Sequence, residues 1–517
     1  MSADNENVSA SKKRRVGFEE EVGITEFVGK HKGFNGVLKQ RYSDFLVNEI
    51  DPSGSIVRLE TLEPPPEPKP DTSWADDNVT TEAKQHLELL ADGQRAEPVV
   101  IPVTGLSKEQ RGQVHAWIRA HWPHLESHTT TDGTVRVSRS TAQRRRATPW
   151  PSGRPSYTTF VLYKENMDTI EAVNRIATFL GMRPSFLGYA GTKDKRAKTC
   201  QRVSCHRLPA KKLLDLNRRQ GLRVGNITFE NAAIKLGDLQ GNRFTIVLRD
   251  VDGTKADHEE AMQSLSANGF LNYYGTQRFG TTSVATHQIG RALLKGCYEE
   301  AVDLVLQPRD GECRAEWARS KDATQALAKL PHRGCIEGLL LRALTKGGAT
   351  NYLGALLALP RNVRLLYLHG YQSYVWNRLV SRRVQRFGLT VLPGDLLMTP
   401  VADWYKEILA EDGLTLNSFS EQKHRELSMS GCYRHLVAVP REVQWQEVSY
   451  TDPQAALVLS DLDRLQGLPE PQSCESDDNA RRALKLEFNL SSSCYATMAV
   501  RELLHRECTS WTPVATS

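Results

Sequence analysis

The sequence predicts an α+β fold, a mixed-sheet catalytic domain interrupted by a helix-rich insertion. Three observations carry this. Gly241–Arg249 places Phe244, Ile246 and Leu248 on one face, and Leu484, Leu486, Phe488 and Leu490 alternate likewise near the C-terminus, the period of a half-buried strand. Residues 168–180 carry an apolar stripe at helical spacing. Between 272 and 435 the spacing is mainly helical, as in Tyr371, Val375, Trp376, Leu379 and Val380. Strand-bearing segments flanking a helical one suggest an insertion into a single domain.

Residues 1–30 read as a disordered tail. Ordered sequence begins near Gly33, where glycine turns border the aromatic and β-branched run to Ile50. From Leu62 to about Glu97 an acidic, proline-rich composition, headed by Glu63-Pro-Pro-Pro-Glu-Pro68, favours an extended loop or insertion. Val99, Val100, Ile101 and Val103 then suggest a strand, followed by a helix around Arg111–Trp122 and a turn at Thr131–Gly133. Arg136 to Arg154, with Arg144-Arg-Arg146, reads as a basic connector or a contact to an RNA backbone. The helix over 168–180 is the clearest element. Asp168 with Glu171 has capping-box spacing, Ile170, Val173, Ile176, Ala177 and Leu180 form the stripe, and Gly181 and Pro184 end it. Ala496, Ala499, Val500, Leu503 and Leu504 predict a last helix. The expected domains are 31–270 (with a small insertion at 98–140), 271–435 and 436–505, followed by a tail at 506–517.

At 517 residues the chain is long enough for two or three domains and a large core, and 39% hydrophobic with 25% charged residues is ordinary for a globular protein. A net charge of +6 permits a polyanionic partner without demanding one. The nine cysteines form no Cys-x-x-Cys pair, which argues against a disulfide framework or zinc ribbon and fits a reducing compartment. The polar start does not read as a signal peptide, and no apolar run is long enough to span a bilayer. A soluble intracellular protein without membrane contact is expected. Lys12-Lys-Arg-Arg15 reads either as a nuclear localisation signal or as a solvated tail before Glu19-Glu-Glu21.

The densest polar cluster is Gly191-Thr-Lys-Asp-Lys-Arg-Ala-Lys-Thr-Cys-Gln201, in a loop between the helix and a strand near 201–205. Asp194 among Lys193, Lys195, Arg196 and Lys198 would have its ionised form favoured, making it a nucleophile or base in a field that attracts phosphate. A surface turn with locally balanced charge is the other reading. No Gly-x-x-x-x-Gly-Lys-Ser/Thr loop occurs, so nucleotide hydrolysis fits poorly, and no Gly-x-Gly-x-x-Gly follows a strand, which disfavours a methyltransferase.

The segment Gly191–Gln201 resembles the signature of the TruD family of pseudouridine synthases, particularly its eukaryotic branch. Matching segments follow in the family's order: Gly36–Glu49, Leu236–Arg249, Asn272–Gly280, Tyr371–Asn377, Pro393-Gly-Asp395 and Tyr495–Glu502. The resemblance spans roughly 30–505. It implies a pseudouridine-synthase-type sheet domain with a TRUD insertion and isomerisation of internal uridine, without metal or organic cofactor. The implied substrate is tRNA, with messenger and small nuclear RNA as further candidates, in the nucleus and also the cytoplasm; no obligate protein partner is evident. Asp194 is then the aspartate common to such enzymes, and Lys39 the lysine beside it. Phe244 is the aromatic on which an extruded base stacks, and Asn242 its hydrogen-bond partner. From the residues alone, Lys39 is an ordinary strand lysine and Phe244 a core residue; Phe45 reads as core packing either way. Lys193, Lys195 and Arg196 are candidate RNA contacts, and so are Gln277 and Arg278, which also suit a hinge. Arg111-x-x-x-His115 resembles the small module named for its Arg-x-x-x-His motif, which binds single-stranded nucleic acid; a solvated helix face is the alternative. Two departures stand out. The segment after Pro393-Gly-Asp-Leu-Leu397 is shorter than this branch usually carries, and proline is missing near Ser491–Ser493.

Overall fold

The computed structural model describes residues 17–66, 72–139, 150–151, 153–218, 221–280, 283–307, 311–331, 334–390, 400–429, 431, 433–474 and 480–506. The motifs Lys12–Arg15, Arg144–Arg146 and Pro393–Asp395 lie outside these residues. Seven long strands build the main sheet: β1 (Phe45–Ile50), β2 (Tyr157–Glu165), β3 (Lys198–His206), β4 (Leu222–Glu230), β5 (Gly241–Arg249), β6 (Arg441–Tyr450) and β7 (Arg481–Ser491). Their order is β6-β7-β5-β1-β3-β2-β4. All neighbouring pairs along it are antiparallel except β1 and β3, which run parallel at its centre. The α+β class holds.

The alternation read in the sequence packs as expected. On β5, Phe244 pairs with Phe488 of β7 and with Val47 of β1, and Phe244, Ile246 and Leu248 are all buried. This face is covered by α2 (Lys255–Asn268) and α4 (Ala496–Leu504), through Ala261, Met262, Leu265, Ala499, Val500 and Leu503. The other half of the sheet packs Phe160, Leu162 and Val203 against α1 (Thr169–Leu180). In α1 the Asp168 carboxylate accepts the Glu171 N–H at 2.7 Å, and Gly181 closes the helix in the left-handed conformation. Asp168→Ala should cost about 1 kcal/mol; an unchanged urea midpoint would remove the cap from the account. Ile170, placed on the apolar stripe by its spacing, is 41% exposed.

Between β5 and β6 lies the helical region, with its own core from Val284 to Met429 around α3 (Arg361–Phe387). The sequence after the shortened segment forms the helix Pro400–Glu411, whose buried Trp404 stacks on Phe387 at 5.7 Å. At Ser491–Ser493 the chain turns without proline, Cys494 N donating to Ser491 O and Ser493 adopting a φ of 68°. The small module is a three-stranded sheet of Val99–Pro102, Thr134–Arg139 and Leu125–Thr129, covered by the helix Lys108–His121.

Two expectations need correction. The stretch from Leu62 to Glu97 is not all extended. After its proline-rich head, Thr80 caps the helix Thr81–Asp92, whose Leu87, Leu90 and Ala91 complete the core of the small module. Residues 17–30 are not a tail. Phe18, Val22 and Ile24 are buried, Ser381 of α3 donates to the Gly23 carbonyl at 2.7 Å, and Arg501 of α4 pairs with Glu19 at 2.6 Å. Tertiary partners, not local periodicity, order this segment. No helix of the described residues is long and apolar enough to cross a membrane.

Candidate active site

The loop between the short strand Leu187–Tyr189 and β3 carries Asp194 at the centre of the sheet, where β1 and β3 run parallel. Its shape is fixed by groups arriving from beneath. Thr169 at the start of α1 accepts from Lys193 N at 2.9 Å and donates to Gln201 Oε1 at 2.9 Å, while Gln201 Nε2 donates to Gly191 O at 2.9 Å. Lys164 of β2, wholly buried, sends its ammonium to the carbonyls of Met167 (2.7 Å), Asp194 (2.9 Å) and Lys193 (3.4 Å). Three carbonyls around one buried cation hold the loop rigid from the inside.

Lys39 approaches from the other side. Its backbone is left-handed, with φ 55°, a strained state for a side-chain-bearing residue that surrounding contacts must hold. Arg196 supplies such contacts, donating to the carbonyls of Lys39 and Gln40 at 3.2 and 2.9 Å. The Lys39 ammonium lies 2.5 Å from Asp194 Oδ2 and 3.7 Å from the centroid of the Phe45 ring. The Asp194 side chain keeps 34% of its surface accessible, Lys39 only 12%. Burial pushes the Asp194 pKa up, but Lys39 above all, with Lys164 and Lys193, outweighs it and holds the carboxyl below its usual range. At neutral pH Asp194 is an ionised, oriented and reachable carboxylate.

The remaining expected residues divide. Lys193 turns inward and pairs with Glu49 at 2.7 Å, both side chains at most 2% exposed. It holds the site from below, a correction to its reading as an RNA contact, because the buried Glu49 carboxylate takes its charge. Arg196, though exposed, is engaged as described with the Lys39 turn. Lys195 is exposed and lines a cleft of about 1490 Å³ together with Thr192, Ile170, Phe179, Gln277 and Leu366. Gln277 accepts a hydrogen bond from Thr497 at 3.2 Å, and Arg278 lies in electrostatic reach of Tyr495. Phe244 is 5% exposed, edge-on to Phe45 at 5.9 Å and tilted against Phe488 at 5.8 Å. Asn242, two residues before it on the same strand face, has a buried Oδ1 with no hydrogen-bond partner among the described residues, the kind of atom a bound base would satisfy. In the small module His115 faces its own sheet, bonded to Ser127 at 2.7 Å and Thr129 at 2.8 Å.

Sequence reasoning gave no role to Lys164, Glu49, Thr169 or Tyr495. The last stands at the head of α4 and feels the charges of Arg278, Arg434 and Asp194. A lysine closing the apolar run Phe160–Tyr163 is the one local signal that could have flagged Lys164. Burial pushes its pKa down to about 8, against the opposing pull of Asp194 and Asp168. Above that pH the neutral amine keeps two N–H groups for three carbonyls. Any activity resting on this loop should therefore decline along an alkaline limb near pH 8. Lys164→Met should be slow at every pH and lack that limb; a limb unchanged in the variant would assign it to another group.

Comparison with known proteins gives the family. Residues 137–403 match the family described as tRNA pseudouridine synthase D (TruD). The chain is 40% identical to the human pseudouridylate synthase 7 homolog, over 94% of this chain and 81% of that protein. It is 32% identical to the multisubstrate pseudouridine synthase 7 of Schizosaccharomyces pombe, over 94% and 90%. A crystal structure from Methanosarcina mazei, assigned as tRNA pseudouridine synthase D, shares the fold with a TM-score of 0.55 at 19% identity, covering 95% of this chain and 98% of that one. With relatives this similar along nearly its whole length, the chain belongs to the TruD family of pseudouridine synthases.

Proposed function

We propose that this pseudouridine synthase isomerises internal uridines of tRNA at Asp194, and that the same site accepts messenger and small nuclear RNA. The observation that carries the reading is the Lys39–Asp194 pair, which keeps a carboxylate ionised and open to solvent beside a large cleft. The reaction breaks the N1–C1′ bond of uridine, forms C5–C1′, releases the C5 proton to water and leaves N1 protonated from solvent, so substrate and product are isomers. The target must leave its stack to reach Asp194. Phe244, buried and edge-on to Phe45, gives the site an apolar side, and Asn242 Oδ1 is an acceptor for a base N–H. Lys195 and Gln277 at the cleft, with Arg278 next in sequence, suit backbone contacts, which supply most affinity but little sequence preference. The name of the fission-yeast relative, multisubstrate, supports a substrate set wider than one RNA. The run Lys12–Arg15 supports a nuclear location, with a cytoplasmic pool as well. The chain acts without organic cofactor, resident catalytic metal or obligate protein partner.

The test is an unmodified tRNA transcript incubated with exhaustively dialysed protein, then digested to nucleosides and chromatographed. Pseudouridine should form without additives. Tight RNA retention with no product would leave an RNA-binding protein, and a strict need for a small molecule would contradict the cofactor-free reaction.

A further inference from the structure

Away from the cleft, the N-terminal segment meets α4 at a histidine the fold does not explain. His31 is 5% exposed, yet neither of its ring nitrogens makes a well-formed hydrogen bond among the described residues, the ring facing only the Glu502 backbone. The contrast is His258, fully buried but bonded at Nδ1 to Glu447 and at Nε2 to the Asp252 carbonyl, both at 2.7 Å. A buried imidazole without a well-formed hydrogen bond leaves a lone pair for a further partner. Two further donors face it. One ligand atom each from His31, Glu502 and His505 lie within 4.8 Å of one another.

These groups are already oriented by their surroundings. The Glu502 carboxylate accepts the N–H groups of Val28 and Gly29 at 2.9 and 2.6 Å. His505 Nε2 bonds the Gly29 carbonyl at 3.0 Å. A carbonyl can only accept, so Nε2 carries the hydrogen and Nδ1 keeps the lone pair. Fixing the ligand tautomer through the second ring nitrogen is what protein metal sites commonly do. A Cβ at Gly29 would stand 2.8 Å from His31 Cδ2 and 2.7 Å from Ser264 Oγ, so a larger residue would push the ring aside. Burial keeps His31 below the usual imidazole range, hence in the neutral form that can ligate.

We propose that His31, Glu502 and His505 form a binding site for a divalent transition cation, with zinc the best fit and water as the fourth ligand. Two imidazoles and one carboxylate match its preferred donors. The cation would clasp the segment 27–31 to the end of α4, the helix whose first turn carries Thr497, bonded to the cleft residue Gln277. Its role is structural, and turnover needs no metal at Asp194.

The full chain, stripped with chelator and dialysed, is titrated with cobalt(II) as a spectroscopic stand-in and with zinc. The expected result is one cobalt per chain with visible d–d absorption displaced by zinc, and a thermal midpoint that zinc raises by a few degrees. His505→Ala and Glu502→Gln should each weaken cobalt binding at least about tenfold while circular dichroism stays native; His435→Ala, an exposed histidine elsewhere, should leave it unchanged. Absence of cobalt absorption in the wild-type chain, or binding equal in the wild type and both site variants, overturns the proposal. Pseudouridine formation by the metal-stripped chain is measured beside it, so failure of this site and failure of the enzymatic reading are seen separately.

Discussion

Asp194→Asn should reduce pseudouridine formation by at least about 10⁴-fold while RNA retention and thermal stability stay near wild type. Asparagine keeps the shape and can still accept from Lys39, but it lacks the negative charge that the site is built to hold. Losses of this order follow when the group that reacts with substrate is removed and binding is left intact. Folding should survive because the loop is held by its backbone, through Lys164, Thr169 and Gln201, and not by the carboxylate. Substantial turnover by a folded Asp194→Asn protein would move the chemistry to another group.

Lys39→Met carries the second large effect, a fall of about 10²-fold at neutral pH. Lys39 is the main charge opposing the burial of Asp194. Without it, burial raises the Asp194 pKa, with only Lys164 and Lys193 left to resist. The carboxyl that was held below its usual range then takes up a proton at higher pH, so the acid limb of the variant moves upward. The sign is specific. Turnover by Lys39→Met should climb as pH is raised from about 5 to 7, where the wild type is nearly level. A variant that is slow but shares the wild-type profile would make Lys39 a packing group against Phe45 rather than the counter-ion. Lys39→Arg is a useful companion, since it restores charge but not the compact ammonium that fits over the Phe45 ring.

What could be read in advance follows how local each feature is. The helix over 168–180 was legible because its cap, stripe and terminating glycine all lie within a few residues of it. The β5 and β7 strands were legible because one face of each is buried and the alternation is clean. Asp194 stood out through its crowded polar surroundings and through the family signature, which also pointed to Lys39. Lys193 was misassigned because a lysine beside the reacting carboxylate looks the same in sequence whether it faces RNA or, as here, Glu49 across the parallel strands. Lys164 and Thr169 were invisible because their roles are contacts to a loop 30 and 24 residues on. The segment from Gly17 was misread for a related reason. Its few apolar residues have no period, and its order comes from α3 and α4, hundreds of residues away. A proline-rich head likewise concealed the helix Thr81–Asp92 behind it.

If an ionised Asp194 drives the conversion of uridine to pseudouridine, release of tritium from a tRNA transcript carrying 5-tritiated uridine reports it. Each conversion frees the C5 hydrogen, so one tritium should enter water per pseudouridine formed. Release is expected from the dialysed wild-type chain, and none above background from Asp194→Asn at equal RNA occupancy. No release from either protein while RNA is bound, or equal release from both, would contradict it.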